Sequence, residues 1–389
     1  DLSRWPVSCL QERKCEMSNV GIMSMQRIAN YGSFLQAYAL KSMIEELGHS
    51  VQFVDYHVCP PVISDDSESS NKLTRMVKKG LETFRFHAPL SHKLAFISYK
   101  RNYASKYLPL LGITEEPNYN PSLDCMVIGS DEVFNCIQKN TNVGFSPELF
   151  GAGNNADKVI TYAASFGNTT IGKLREYGKA EEITRYLNDI DAISVRDGNS
   201  GSIVRELTSR EPIYHLDPVL AYDYFGKCNR IPEINVGEKY LILYAYSGRI
   251  TDAEADWIEA YAKRKNLKVY AIGGVQKCAD RFIDCSPFEV LAYFKNAEEI
   301  ITDTFHGSIF SVISQRPFTT VIRKSVGTGY GNEEKLTDLL KRLGLTSRMT
   351  FNVKEAEHIN QEKPDYADVQ VCLEEQRGRT KEYLAQNLV

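Results

Sequence analysis

The sequence predicts an α/β protein built from two doubly wound, Rossmann-like domains that face each other across a cleft. Three observations lead there. The chain has 389 residues, more than the roughly 100–200 that one ordinary core organises. From Val20 onward, short β-rich runs alternate with amphipathic helical segments, the pattern of βαβ units and parallel sheets. That alternation pauses near 221–238, at Gly226, Pro232 and Gly237, and then restarts. The expected organisation is an extension at 1–16, an N-terminal α/β domain at 17–225, a C-terminal α/β domain at 226–364 and a final segment of helical composition at 365–389.

The elements follow in order. Residues 1–16, DLSRWPVSCLQERKCE, are polar and contain no apolar run of signal-peptide type, so they are expected to stay outside the fold. Val20–Ser24 reads as a strand. Phe34, Ala37, Leu40, Ile44 and Leu47 recur at helical spacing, and Gly48 stops them. Val51–Tyr56 is the next strand and Ser64–Asn71 an exposed loop. Residues 72–108 have helical composition rich in Lys and Arg, read first as a solvated face. Leu123–Ile128, Val159–Ser165 and Ala192–Val195 are buried strands. In the second half, strands at Tyr240–Tyr246, Leu267–Ile272, Glu299–Thr302 and Phe318–Ile322 alternate with helices at Asp252–Lys265, Pro287–Asn296, Ser308–Ser314 and Glu333–Leu343.

Composition narrows the function. Apolar residues are 43% and charged residues 25%, which excludes wholesale disorder. Lys+Arg number 46 against 50 Asp+Glu, so a main task of gripping nucleic acid is not expected, whereas a small anion needs only a few local cations. No run of 18 apolar residues exists, so no transmembrane helix is expected. Nine cysteines, an odd number without a CxxC pair, read as reduced thiols of a cytosolic protein, not as a disulfide framework or a Cys-rich zinc site. HExxH, GxSxG and the P-loop are absent, and nothing demands a metal or a cofactor.

In open parallel sheets ligands bind beyond the carboxyl ends of the strands. Those junctions carry Asn30-Tyr31-Gly32, Gly129-Ser130-Asp131, Ser165-Phe166-Gly167, Arg196-Asp197 and Asp303-Thr304-Phe305-His306-Gly307-Ser308. Arg196 either clamps a carboxylate or phosphate or pairs structurally with Asp197 or a neighbouring acid. His306 either moves a proton, grips an anion or is a core histidine. Amides at the helix start near Ser308 would add to an anion site. Asp303 is a helix-start carboxylate or a catalytic one. The basic, Gly-rich run from Arg323 and Lys324 to Gly331 can wrap an anion.

With these residues in hand, the chain resembles the polysaccharide pyruvyl transferase family. The pieces that carry the resemblance are NYGSFLQAYALKSMIEELGH (30–49), DCMVIGSDEVFN (124–135), YAASFG (162–167), SVRDGNS (194–200), LDPVL (216–220), DTFHGSIFSVISQRPF (303–318) and KLTDLLKRLGL (335–345). The resemblance implies a fold similar to the GT-B glycosyltransferases, with the active site between the domains. It also implies a last helix crossing back, so that 365–389 packs on residues before 221. It implies transfer of the enolpyruvyl unit of phosphoenolpyruvate to a sugar, giving a pyruvate ketal and phosphate. The donor-binding Arg of the family falls on Arg196, its His on His306 and its Lys on Lys335, with Arg323 and Lys324 as substitutes because 323–332 resembles an insertion. Asp131 and Asp303 are candidate bases. The expected partners are phosphoenolpyruvate and a sugar acceptor, lipid-linked or free. The expected location is the cytoplasm, with peripheral contact at the inner membrane face as a variant. A glycosyltransferase using a nucleotide sugar and a non-catalytic protein of a polysaccharide locus stand as alternatives.

Overall fold

The computed structural model describes residues 17–63, 82–324 and 331–389. The extension at 1–16, the loop at Ser64–Asn71 and most of the Gly-rich run lie outside the described residues.

Each half is built on a six-stranded, fully parallel sheet. In the N-terminal half β1 (Asn19–Met23), β2 (Ser50–Phe53), β3 (Ser122–Asp131), β4 (Asn155–Ala164), β5 (Ser194–Val195) and β6 (Ile213–Tyr214) lie in the order β2-β1-β3-β4-β5-β6. In the C-terminal half β7 (Tyr240–Tyr244), β8 (Lys268–Ile272), β9 (Arg281–Phe282), β10 (Glu299–Thr302), β11 (Phe318–Val321) and β12 (Met349–Thr350) lie in the order β12-β11-β10-β7-β8-β9. The central strands are buried on both faces, as parallel strands under helices must be. Three two-residue strands, β6, β9 and β12, are missing from the sequence reading, and the fifth strand is shorter than Ala192–Val195. Edge strands this short carry no readable periodicity, and the wider pairing at Ala192 is a single bridge to Ile160.

The helices used below are α1 (Tyr31–Glu46), α2 (Leu90–Tyr107), α3 (Gly198–Thr208), α4 (Pro218–Ala221), α5 (Asp252–Arg264), α6 (Pro287–Asn296), α7 (Phe305–Ser314), α8 (Glu333–Arg342) and α9 (Tyr366–Asn387). Their starts are set by capping side chains. Asn30 accepts from the Gly32 and Ser33 amides, and Thr251 and Ser286 each form a capping box with the Glu three residues on. Gly48, at φ +90°, releases the chain from α1 into β2, a conformation with little cost only for glycine.

One apolar cluster runs through both halves: Phe34 and Leu35 of α1, Tyr222, Tyr224, Tyr244, Phe288 of α6 and Phe310 of α7 all belong to it. Phe288 stands edge-on to Phe34 and Tyr38, with centroids 5.6 and 4.9 Å away. Helix α9 begins on the C-terminal half, where the Tyr366 hydroxyl donates to the Arg316 carbonyl. It ends on the N-terminal half, where the Tyr383 hydroxyl donates to the Thr161 carbonyl and Thr380 meets the Tyr162 hydroxyl at 3.0 Å.

Because the halves share this cluster, Phe288→Ala is expected to cost about 3–5 kcal/mol, the usual loss for a buried aromatic. Urea unfolding followed by near-ultraviolet circular dichroism and by fluorescence should show one shared transition at lower denaturant. Separate transitions for the two halves would contradict a common core.

Candidate active site between the two sheets

A doubly wound sheet has a crevice where its strand order reverses. In the N-terminal sheet this point lies between β1 and β3, and in the C-terminal sheet between β7 and β10. The two crevices meet. Asn30, after β1, donates through Nδ2 to the hydroxyl of Tyr246, after β7, at 2.6 Å.

Asp217 is the centre of the contact. It is fully buried at the start of α4, and Oδ1 accepts the Val219 amide at 3.0 Å. Its Oδ2 accepts from Gln36 of α1 and from Arg196 Nη1 at 3.2 Å, and lies 3.4 Å from His306 Nε2. One carboxylate oxygen thus gathers Arg196 from the N-terminal half and His306 from the C-terminal half. Burial alone would raise the Asp217 carboxyl, but His306 and Arg196 beside it hold it below the usual range. The His306 ring explains Gly32: a Cβ there would sit 2.1 Å from His306 Nδ1, so the imidazole packs directly on the backbone of the first turn of α1. Among the described residues His306 Nε2 has no hydrogen bond.

Arg196 is 5% exposed. Its guanidinium lies over the Phe305 ring at 4.4 Å. Burial works against its charge, but Asp217, Asp131, Asp197 and Glu132 raise its pKa above the ordinary value. The structural pair forms, with the neighbouring acid Asp217 and not with Asp197. Asp197 caps α3 through the Ser200 amide and accepts the Ser165 hydroxyl at 2.6 Å, whereas Asp217 takes the ion pair. The reason is direction: as N-cap, Asp197 turns its carboxylate to the helix it starts.

Lys335, at the start of α8, reaches across the halves to Glu132 at 3.0 Å. Burial would push Glu132 up, yet Lys335 and Arg196 hold its carboxyl at about 2. Arg323 and Lys324 join a different cluster. Arg323 pairs with Glu254 at 2.6 Å and with Asp303 at 3.5 Å, and Arg249 stands 3.9 Å from Asp303. With Ile322 and Phe351 these three cations line an open groove of about 660 Å³.

Two further expectations are corrected. Asp303 does not cap α7: Thr304 does, through the Gly307 amide, while Asp303 is buried and pushed up in pKa by that burial. Its carbonyl accepts from Asn332 at 2.6 Å. Helix α7 starts at Phe305, so Gly307 and Ser308 are inside it and buried, with the Ser308 hydroxyl spent on the Thr304 carbonyl. Tyr31 is likewise structural, donating to the Cys285 carbonyl among tyrosines. Asp131 ends β3 at φ +94° and accepts the Ser33 hydroxyl at 2.7 Å, and the neighbouring Ser130 is buried.

Sequence reasoning missed Asp217, Glu132 and Gln36 as site residues. Asp217 follows β6 and obeys the strand-end rule, but a two-residue edge strand gave no signal. Glu132 lies inside the piece DCMVIGSDEVFN, but only its partner Lys335, 203 positions away, gives it a role.

The sequence model of the polysaccharide pyruvyl transferase family matches residues 30–325. No curated protein matches. Among solved structures, a UDP-GlcNAc 2-epimerase from Neisseria meningitidis aligns over 95% of this chain and 95% of its own, at 9% identity and TM-score 0.46. The glycosyltransferase SsfS6 of Streptomyces sp. SF2575 aligns over 95% of this chain and 99% of its own, at 10% identity and TM-score 0.46.

Two outcomes test this geometry. Gly32→Ala should displace His306 and cost about 1–3 kcal/mol by overpacking, measured by thermal melting. For Glu132, a carboxyl depressed to about 2 stabilises the fold fully above its ordinary pKa near 4.5 and loses that contribution as pH falls through 2. The melting-temperature gap between wild type and Glu132→Gln should therefore be widest near neutrality and close in acid. A gap that grows in acid would refute the ion pair.

Proposed function

The chain belongs to the polysaccharide pyruvyl transferase family, and from that premise we propose that it transfers the enolpyruvyl group of phosphoenolpyruvate to a sugar of a polysaccharide or its precursor. Protonation of the donor methylene carbon makes an oxocarbenium-like centre. A sugar hydroxyl adds to the neighbouring cationic carbon, which bears the carboxylate and the phosphate, and gives up its proton to a base. A second hydroxyl of the same sugar then displaces phosphate, so the products are a cyclic pyruvate ketal and inorganic phosphate. The reaction needs cations for a carboxylate and a phosphate, an acid for carbon and a base for the hydroxyls.

The observation that carries this reading is the meeting of Arg196 and His306, from opposite halves, on one Asp217 oxygen where both crevices open. Arg196 is the donor clamp, and Lys335 at Glu132 is the second cation. His306 serves the leaving phosphate or a proton transfer. Asp131, beside the Ser33 hydroxyl, and Asp303, beside Arg323, are the candidate bases. Since Arg196 is almost wholly covered, the donor enters when the halves part, a hinge motion common in two-domain enzymes.

The test is phosphate release from phosphoenolpyruvate that depends on an added sugar acceptor. Arg196→Lys keeps the charge beside Asp217 but loses the planar fork, so the affinity of the folded protein for the donor should fall at least about tenfold, with some loss of melting temperature because Arg196 is buried on Asp217 and Phe305. His306→Gln should lower turnover by about 10²–10⁴ while donor binding falls less. If neither variant alters donor binding or turnover, the site assignment is wrong. Turnover of a nucleotide sugar without any phosphoenolpyruvate effect would replace the reading with glycosyl transfer.

A further inference from the structure

Helix α2 has two faces, and only one is used. At 100° per residue, Phe96, Tyr99, Tyr103 and Tyr107 fall on one side. There Phe96 meets Phe282 at 5.7 Å and Tyr99 and Tyr103 join the shared core. The opposite side carries Leu90, Leu94, Ile97 and Arg101 in one stripe. Leu90 is 60% and Leu94 54% exposed, and Phe84, just before the helix, is 45% exposed. Large apolar side chains lined up on an outer face are not what a merely solvated helix shows.

The charge around this stripe is one-sided. From 83 to 114 the sequence has five Lys or Arg, at 85, 93, 100, 101 and 106, and no Asp or Glu. Over the longer stretch 69–114 there are nine Lys or Arg and one acid, Glu82, in a chain whose net charge is −4. Arg85, Arg101 and Lys106 are exposed. Exposed acids flank the stretch at Glu82, Glu115 and Glu116, and toward the C-terminal half Asp252 meets His87 at 2.9 Å and Asp280 stands beside His92. The outer stripe of α2 thus carries Arg101 and no acid, with Arg85 next to the exposed Phe84 just before the helix.

We propose that this face docks on an anionic lipid bilayer, with Leu90, Leu94 and Phe84 entering the headgroup boundary and Arg85 and Arg101 meeting lipid phosphates. A basic amphipathic helix lying in the membrane plane binds by those two contributions together. No helix among the described residues is long and apolar enough to cross a membrane, so the contact is peripheral. The inner side of α2 lies beside the candidate site. Lys100 Nζ donates to the Ala29 carbonyl at 2.6 Å and the Tyr103 hydroxyl to the Asn30 carbonyl at 2.9 Å, so α2 rests on the segment that leads into α1. The proposal goes beyond the transferase reading and holds without it, since lipid binding needs no donor.

The experiment is sedimentation of the full chain with vesicles of phosphatidylcholine alone or one-third phosphatidylglycerol, in low and high salt. Binding is expected only to the anionic vesicles and should be released by salt. Arg85→Gln with Arg101→Gln should weaken partitioning roughly 20- to 30-fold, about fivefold per charge. Leu90→Ser with Leu94→Ser should also weaken it, at an unchanged melting temperature. No binding, equal binding to neutral vesicles, or variants that bind like wild type would each overturn the proposal. So would a wild-type dimer that the Leu variant dissociates, without vesicle binding, which would make the stripe a contact between copies. Phosphate release with a soluble acceptor, measured on the same variants, tests the transferase reading separately and should not change.

Discussion

A single buried carboxylate organises the contact between the two halves. Asp217 Oδ2 is shared by Gln36, Arg196 and His306, and each comes from a different element. A buried ion pair is weak evidence for stability, because desolvating two charges offsets most of their attraction. Its specific effect here is positional. Removing the carboxylate would leave Arg196 buried without its partner and His306 without the charge it faces. The network therefore specifies how the halves meet more than how firmly they hold.

The rest of the interface supports that geometry. Gly32 lets the His306 ring settle on the α1 backbone, and the Asn30–Tyr246 hydrogen bond ties together the loops after β1 and β7. The apolar cluster through α1, α6 and α7 supplies the burial that the polar groups do not. Around Arg196, Asp131, Glu132, Asp197 and Asp217 outnumber the nearby cations, but each is engaged. Asp197 holds a helix start, Asp131 the Ser33 hydroxyl, Glu132 the Lys335 ammonium and Asp217 the ion pair. An anionic donor arriving there would have to rearrange these pairs, which makes domain motion part of the chemistry that the family implies.

Much of this was legible in the chain itself. The βαβ alternation predicted parallel sheets in both halves, because a strand buried under helices must be continuously apolar and an amphipathic helix must return every three to four residues. The strand-end rule singled out Arg196 and His306, which the fold brings to one Asp217 oxygen, since small, polar and ionisable residues at such junctions stand out against apolar strands. It failed at Asp217, whose strand has two residues and no period. It also misjudged Asp303 and Ser308, because a helix that starts at Phe305 with Thr304 as cap differs by only a few positions from one that starts at Ser308. Local propensity does not resolve that difference.

What the sequence determined by itself was local and periodic: where strands and helices fall, where they stop, and which junctions carry chemistry. Pairing was decided only in three dimensions. Whether Arg196 meets Asp197 or Asp217, whether Lys335 or Arg323 reaches the N-terminal half, and which side of α2 stays uncovered all depend on how two separately wound sheets dock. Side-chain direction and long-range approach have no signature in sequence spacing. An ion pair spanning 203 positions becomes visible only when the fold closes it.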